Sequence, residues 1–409
     1  MTRKLLRAVV WIVVIYVLLE AGFRLYRYER LASEVGKNTH YRFSSFKEPI
    51  YQVDSSAGYA YLPNSRNRQF LYDETSNLLP HDSHIVTNNM GMFSSVDAQV
   101  DKSPDEFRIA ILGDSFCATT TSDVVWPTAL QDALNADFEL KRALGKSKIT
   151  VLNFGLDGTG LVQWPDVYRT RAAKFNPDLV IVNFISNDIV RKYVYRDTLR
   201  FGDSSYGMFA CSSLPVDITN PDCRNGFAFV LDPTVENPHQ KSVQIKGDIY
   251  KALLRRLPWF SPYPELLATI FNGHLGLHPR LEASASRPGI FGLSNLFYDD
   301  EQQSIGISLD ALKQISALHQ PTLIFHHPAV EECFAGKSSP LAQQLMAAAK
   351  NLHIVDMLTE LPQGASPDVI RAWYNLPYDA HPSNYGAKLY AESADKQVRS
   401  LLLANSKAH

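Results

Sequence analysis

The sequence predicts an α/β protein whose parallel sheet is covered by helices on both faces. Apolar runs of strand length, such as FRIAILG at 107–113 and LVIVNFI at 179–185, alternate with stretches of helical periodicity, the pattern of βαβ units. The runs are near-continuous rather than alternating, as expected of strands buried on both sides. The first three end in compact polar turns, GDS at 113–115, NFGLDGTG at 153–160 and SND at 186–188, at the strand ends where open parallel sheets place their chemistry.

From the N-terminus, Arg3, Lys4 and Arg7 precede an uninterrupted apolar run of twelve residues at 8–19. Twelve falls short of the roughly 20 residues that span hydrocarbon, but Leu5, Leu6 and residues 21–23 lengthen the stretch, and Arg7 and Arg24 can snorkel. Leu18, Leu19 and Glu20 occupy the place of a small-residue cleavage site. Residues 1–30 are therefore expected to form an uncleaved signal anchor, a single transmembrane helix, in preference to a removed signal peptide or a buried apolar helix. Arg3, Lys4 and Arg7 favour an inside N-terminus and a body outside the cytoplasm, although Arg24, Arg27 and Arg30 flank the other end.

Residues 31–105 are polar, aromatic-rich and turn-rich, and read as a strand-rich accessory segment. The main domain is expected at 106–409. After its first strand, Trp126, Leu130, Leu134 and Phe138 have helical spacing. Strand 148–155, helix 164–175, strand 177–185, helix 308–319, strand 321–328, helix 341–351, strand 352–357 and a last helix at 385–403 follow. The alternation breaks at 189–306, more than a hundred residues, too long for a structureless loop and so expected to be a partly helical insertion or cap. This stretch holds Cys211 and Cys223, the disulfide candidates if the body is extracytoplasmic, the alternative being two unpaired loop thiols. Cys117 and Cys333 read as buried thiols.

Composition excludes several classes. At 45% hydrophobic and 20% charged, the chain is too apolar for disorder, and a mean hydropathy of -0.15 is too polar for a polytopic membrane protein. A net charge of -2 leaves no footprint for nucleic acid. The four cysteines form no CxxC and no Cys/His pair of zinc spacing, so no structural metal is expected. No GxGxxG opens a helix, so no dinucleotide site is read either.

A serine at a strand-to-helix turn presents its hydroxyl above the sheet and its amide at a helix N-terminus. Late in the chain, DAHPS at 379–383 precedes the last helix. These four blocks, in this order, resemble the SGNH (GDSL) hydrolase family, in its membrane-anchored bacterial type, over about 108–403. The resemblance implies a three-layer α/β/α, flavodoxin-like SGNH hydrolase fold and ester chemistry without metal or organic cofactor. It makes Ser115 the nucleophile, His381 the base and Asp379 its orienter, with Ser115, Gly158 and Asn187 as oxyanion donors. A GYxxxPN stretch (Gly58, Tyr59, Pro63, Asn64) ahead of the serine block is also family-like. The last block departs from the commonest form, DxxH, because Tyr378 stands three before His381 and the aspartate stands two before. Residues two apart in extended chain point to one side, so Asp379 can still reach the imidazole.

Ester cleavage needs an activated hydroxyl, a base of near-neutral pKa and donors aimed at the developing oxyanion. The expected function is that of a serine esterase on the outer, periplasmic side of the inner membrane, removing acyl groups, acetyl foremost, from an O-acylated glycan or related cell-envelope ester. With a sugar hydroxyl in place of water the same site would be an O-acyltransferase, and a non-catalytic polysaccharide-binding assembly protein is the rival from another class. Asp114 and Asp188 read as caps or braces, and His326 and His327 as structural or substrate-proximal. Tyr206, Phe209, Trp259, Tyr263, Phe297, Tyr298, Trp373 and Tyr374 read as a small apolar core or as a sugar-stacking wall.

Overall fold

The structure is a computed structural model, which describes residues 3–37, 40–44, 50–73, 78–118, 122–200, 205–216, 223–230, 296–319, 321–376 and 379–406. An N-terminal helix, Arg3–Lys37, runs past residue 30, and its Arg3–Phe23 portion is long and apolar enough to cross a membrane. Strands β1 (His40–Ser44), β4 (Arg66–Asp73) and β5 (Leu78–Val86) form an antiparallel sheet, while β2 (Tyr51–Asp54) and β3 (Gly58–Tyr61) pair as a hairpin. The hairpin turn is fixed by Asp54, whose Oδ1 accepts the Ser56 N–H at 2.8 Å, an Asx turn.

The centre of the molecule is a five-stranded sheet of β6 (Glu106–Gly113), β7 (Lys148–Asn153), β8 (Leu179–Phe184), β12 (Thr322–His326) and β13 (Ile354–Asp356). Its order is β13-β12-β8-β6-β7 and all its pairings are parallel, the flavodoxin-like arrangement in which the chain reverses direction between β7 and β8. Side chains alternate between two apolar layers. Ala110, Leu112, Val180, Val182 and Ile324 face one, with helices Glu301–Leu318 and Pro340–Ala348. Ile109, Ile111, Leu179, Ile181 and Leu323 face the other, with helices Trp126–Ala136 and Asn384–Ser406. The α/β class and three-layer architecture thus hold. The outward edge of β7 is closed by side chains: Asn135 exchanges hydrogen bonds with Ile149 (3.0 and 2.6 Å), and Gln131 Oε1 accepts the Val151 N–H at 2.8 Å, which removes a free strand edge.

Two elements differ from expectation. The helix after the first strand breaks at Asp137, whose Oδ1 accepts the Leu140 N–H at 2.9 Å and starts a second helix, Phe138–Leu144. A capping aspartate competes with helix continuation, and the break turns Phe138 out to 69% exposure instead of onto the apolar face. Segment 164–175 is one helical turn, a π turn at Tyr168–Ala172 and a 3-10 turn, not a uniform α-helix.

In the 189–306 stretch the described residues include an antiparallel sheet of order β11-β10-β9, from β9 (Tyr195–Arg200), β10 (Ser205–Cys211) and β11 (Cys223–Val230). Trp259, Tyr263 and the amphipathic segment 245–260 lie outside the described residues, as do the side chains of Tyr206 and Phe209. Cys211 is disulfide-bonded, Cys117 and Cys333 are free and buried, and the remaining cysteine, Cys223, stands opposite Cys211 in the β10–β11 register.

Candidate active site

β6 ends at Gly113, where an added Cβ would sit 2.3 Å from Cys117 Sγ and 2.7 Å from the Asn183 carbonyl. Only glycine lets the next helical turn fold back so tightly. Asp114 starts that turn: its Oδ1 accepts the Phe116 N–H at 2.9 Å, and its carbonyl accepts those of Cys117 and Ala118. Ser115 is the first helical residue, 7% exposed.

The Ser115 Oγ lies 2.7 Å from Nε2 of His381. On the far side of the ring, Nδ1 is hydrogen-bonded to Asp379 Oδ1, which also accepts the His381 backbone N–H at 3.0 Å. This double contact is how a D-x-H spacing works: the carboxylate closes a two-residue Asx turn on its own backbone and holds the ring with the same oxygen. With the Nδ1 proton directed to Asp379, Nε2 is left as the acceptor for the serine hydroxyl. The loop is stitched to the end of helix Pro367–Trp373 by Ser383 N–H to Trp373 O (2.9 Å) and Asn375 N–H to His381 O (3.0 Å). Gly386 belongs to the same docking, since a Cβ there would overlap the Trp373 carbonyl at 1.9 Å. Trp373 and Tyr374 are buried in a small apolar cluster beneath the loop, with Phe116 and Ile185.

Gly158 and Asn187 lie on the turns after β7 and β8. Gly158 has φ +62°, in the left-handed region, and an added Cβ would meet Arg196 Nη2 at 2.2 Å. Among the described residues, neither the Ser115 nor the Gly158 backbone N–H has an acceptor, and the exposed Asn187 side-chain amide has no partner. The three turns meet at Arg191, which the sequence reading missed. Its Nη1 donates to Asp114 Oδ2 (3.0 Å), to the Thr159 carbonyl (3.1 Å) and to Asp188 Oδ1. One guanidinium therefore joins the neighbours of Ser115, Gly158 and Asn187. Its only sequence signal is the i,i+3 spacing from Asp188. Burial, and then the adjacent Asp114 carboxylate, raise Asp188 well above the usual carboxylate range, with Arg191 opposing.

A second Ser-His-Asp series lies close by and works differently. His326 Nε2 is 3.3 Å from Ser186 Oγ, and Nδ1 is 3.1 Å from Asp356 Oδ1. However, the Ser186 hydroxyl donates to Glu332 Oε1 at 2.7 Å. Burial pushes the imidazole down, but hydrogen bonds and charge from Asp356 and Glu332 win and raise His326 to about 9. A charged imidazole accepts no proton, so this cluster is an ion network that braces the turn bearing Asn187. His327 is forced the other way, its pKa lowered by burial and then by His326, and it stacks on Tyr390 at 3.7 Å.

A nucleophile bonded to a base, a base bonded to a carboxylate, and free N–H groups beside the nucleophile can together perform acyl transfer from an ester. Residues 109–209, about a quarter of the chain, match the family of GDSL-like lipase/acylhydrolases, a likeness that supports a serine hydrolase. The sequence has no match among curated proteins. Among solved structures, a lipase/acylhydrolase from Enterococcus faecalis is 12% identical, with 72% of this chain and 96% of that one covered and a TM-score of 0.35. An acetylxylan esterase from Geobacillus stearothermophilus, solved as a catalytic mutant, is 11% identical over 73% and 96%, with a TM-score of 0.34. A two-domain esterase active on acetylated mannans is 12% identical over 73% and 50%, with a TM-score of 0.35.

Proposed function

We propose that the protein is a membrane-held serine esterase that removes acyl groups, acetyl foremost, from an O-acylated glycan or related cell-envelope ester. The observation that carries this reading is the 2.7 Å contact between Ser115 Oγ and His381 Nε2, with Asp379 on Nδ1. His381 takes the hydroxyl proton as Ser115 Oγ bonds to the ester carbonyl carbon, and the carbonyl oxygen becomes an oxyanion facing the Ser115 and Gly158 N–H groups and the Asn187 amide. Asp379 stabilises the imidazolium. The tetrahedral centre then breaks its bond to the alcohol oxygen, which leaves with the proton from His381. Water, deprotonated by the same nitrogen, releases the acid and restores Ser115. The Arg3–Phe23 segment supports an anchor that keeps this site beside the envelope, and the body is assigned to the periplasmic side. The acyl glycan is proposed from that location.

The test is hydrolysis of a short-chain acyl ester by the full chain in detergent, with Ser115→Ala expected to abolish it; activity that survives the substitution defeats the assignment. Adding a glycan acceptor separates the outcomes of the second half-reaction. Free acid in undiminished yield supports the esterase, whereas acyl groups appearing on the glycan, read by mass spectrometry, would make the protein an acyltransferase.

A further inference from the structure

Asp157, one residue before Gly158, is gripped by three tyrosines of the β2–β3 hairpin. Tyr59 donates its hydroxyl to the Asp157 carbonyl at 2.6 Å, the Asp157 N–H donates to the Tyr61 hydroxyl at 2.9 Å, and Tyr51 donates to Asp157 Oδ2 at 3.1 Å. All three rings are buried. They pack on one another with centroids 5.4 to 5.8 Å apart, and Tyr61 also packs on Phe93 at 4.5 Å. Burial, followed by the Asp157 charge, raises the Tyr51 and Tyr61 phenols. Burial raises Tyr59 too, against the pull of Arg196. The hydroxyls therefore keep their protons.

The Asp157 carbonyl and the Gly158 N–H belong to one planar trans peptide, in which the two bonds point in opposite directions. Whatever holds the carbonyl aims the N–H. A glycine peptide needs such a hold, because Gly158 sits at φ +62° and glycine visits other regions at little cost. We infer that the β2–β3 hairpin is a positioning element of the oxyanion hole, in which Tyr59, with Tyr61 and Tyr51 beside it, sets the direction of the Gly158 N–H through the shared peptide plane. The inference rests on the esterase reading of the Ser115 site. It gives the Gly58-Tyr59 pair of the GYxxxPN stretch a task. Gly58, at φ +84°, has Gln163 Nε2 and the Val194 carbonyl each 2.2 Å from where a Cβ would stand. Gln163 Nε2 donates to Ala57 O (2.8 Å) and Val194 O (3.1 Å). The glycine thus seats the hairpin closely enough for the next side chain to reach the peptide.

The full chain in detergent is assayed with p-nitrophenyl acetate, and the exchange of its amides is followed by hydrogen–deuterium mass spectrometry. Tyr59→Phe keeps the ring and removes the hydroxyl; it should lower kcat by about 10²-fold, the cost of one oxyanion donor, with KM little changed. The peptide containing Asp157 and Gly158 should exchange faster, while the β6 peptide keeps its protection. Tyr61→Phe tests the grip from the other side of Asp157 and should move both readouts the same way; Tyr51→Phe, which frees only the carboxylate, should do so less. Wild-type kcat and wild-type exchange in Tyr59→Phe would overturn the inference, as would a kcat loss that comes with equal loss of protection throughout β6. If the wild-type chain hydrolyses no ester, the esterase reading fails, and the exchange comparison still decides whether the hairpin holds the Gly158 peptide.

Discussion

Arg191 brings one positive charge to two buried carboxylates, and its Nη1 shares two N–H bonds among three acceptors on three different turns. Asp114 and Asp188 are both 0% exposed, so neither has water as a substitute for the guanidinium. Removing one partner of a buried ionic group strands the rest, at a cost of about 3–5 kcal/mol. Arg191→Met, which keeps the aliphatic stem, is accordingly expected to lower the unfolding free energy by about 3 kcal/mol or more and to reduce kcat, because the three turns lose their common joint. Lysine should rescue only part of either effect, since a point donor lacks the guanidinium fork. Chemical denaturation with parallel steady-state kinetics checks this; an Arg191→Met protein with wild-type stability would show that the joint is incidental.

At the level of elements, the ends of β8, β12 and β13 are tied by the His326 network, and its titration has a definite sign. His326 stands at about 9, above its ordinary 6.5, so its stabilisation is complete below pH 6.5 and is lost as pH rises through 9. The shift corresponds to about 3 kcal/mol. Glu332 is opposed by burial but held down to about 2 by hydrogen bonds and charge from His326, so its share fades only in strong acid. The difference in unfolding free energy between wild type and His326→Gln should therefore shrink between pH 6.5 and 9.5, and a difference independent of pH would show that the imidazole is uncharged in the fold. None of this was readable beforehand, because Ser186 and His326 are 140 residues apart and His326 and Asp356 are 30 apart, and only the parallel β8–β12–β13 pairing brings them together. The strands themselves and the Ser115, Gly158, Asn187 and His381 blocks were legible, since each is a short apolar run or turn whose meaning is local. The break at Asp137 was not, because Phe138 continued the helical period while a capping aspartate interrupted it.

Across the whole molecule, the boundary near residue 105 marks a change of composition and not of core. Ile50, Tyr59, Ile85, Met92 and Phe93 pack in one apolar cluster with Val180, Val182 and Leu312, so the strand-rich segment covers one face of the parallel sheet. Each such side chain contributes about 1.5–3 kcal/mol on burial, and together they rival the roughly 5–15 kcal/mol that holds a domain folded. The Arg3–Phe23 segment is different: no residue of its apolar window counts as buried inside the molecule, and apolar side chains such as Trp11, Ile12 and Leu18 are exposed, which is what the anchor proposed above requires. Two truncations should therefore part company. Removal of residues 1–30 should give a soluble protein that no longer floats with liposomes and keeps the kcat/KM of the full chain on a small soluble ester. Removal of residues 1–105 should give an aggregating, inactive chain, since it strips both the cover of the sheet and the tyrosines around Asp157. A soluble and fully active 106–409 fragment would show that the segment is a separable module, and flotation of the 31–409 chain equal to that of the full protein would show that something other than the N-terminal helix holds it at the membrane.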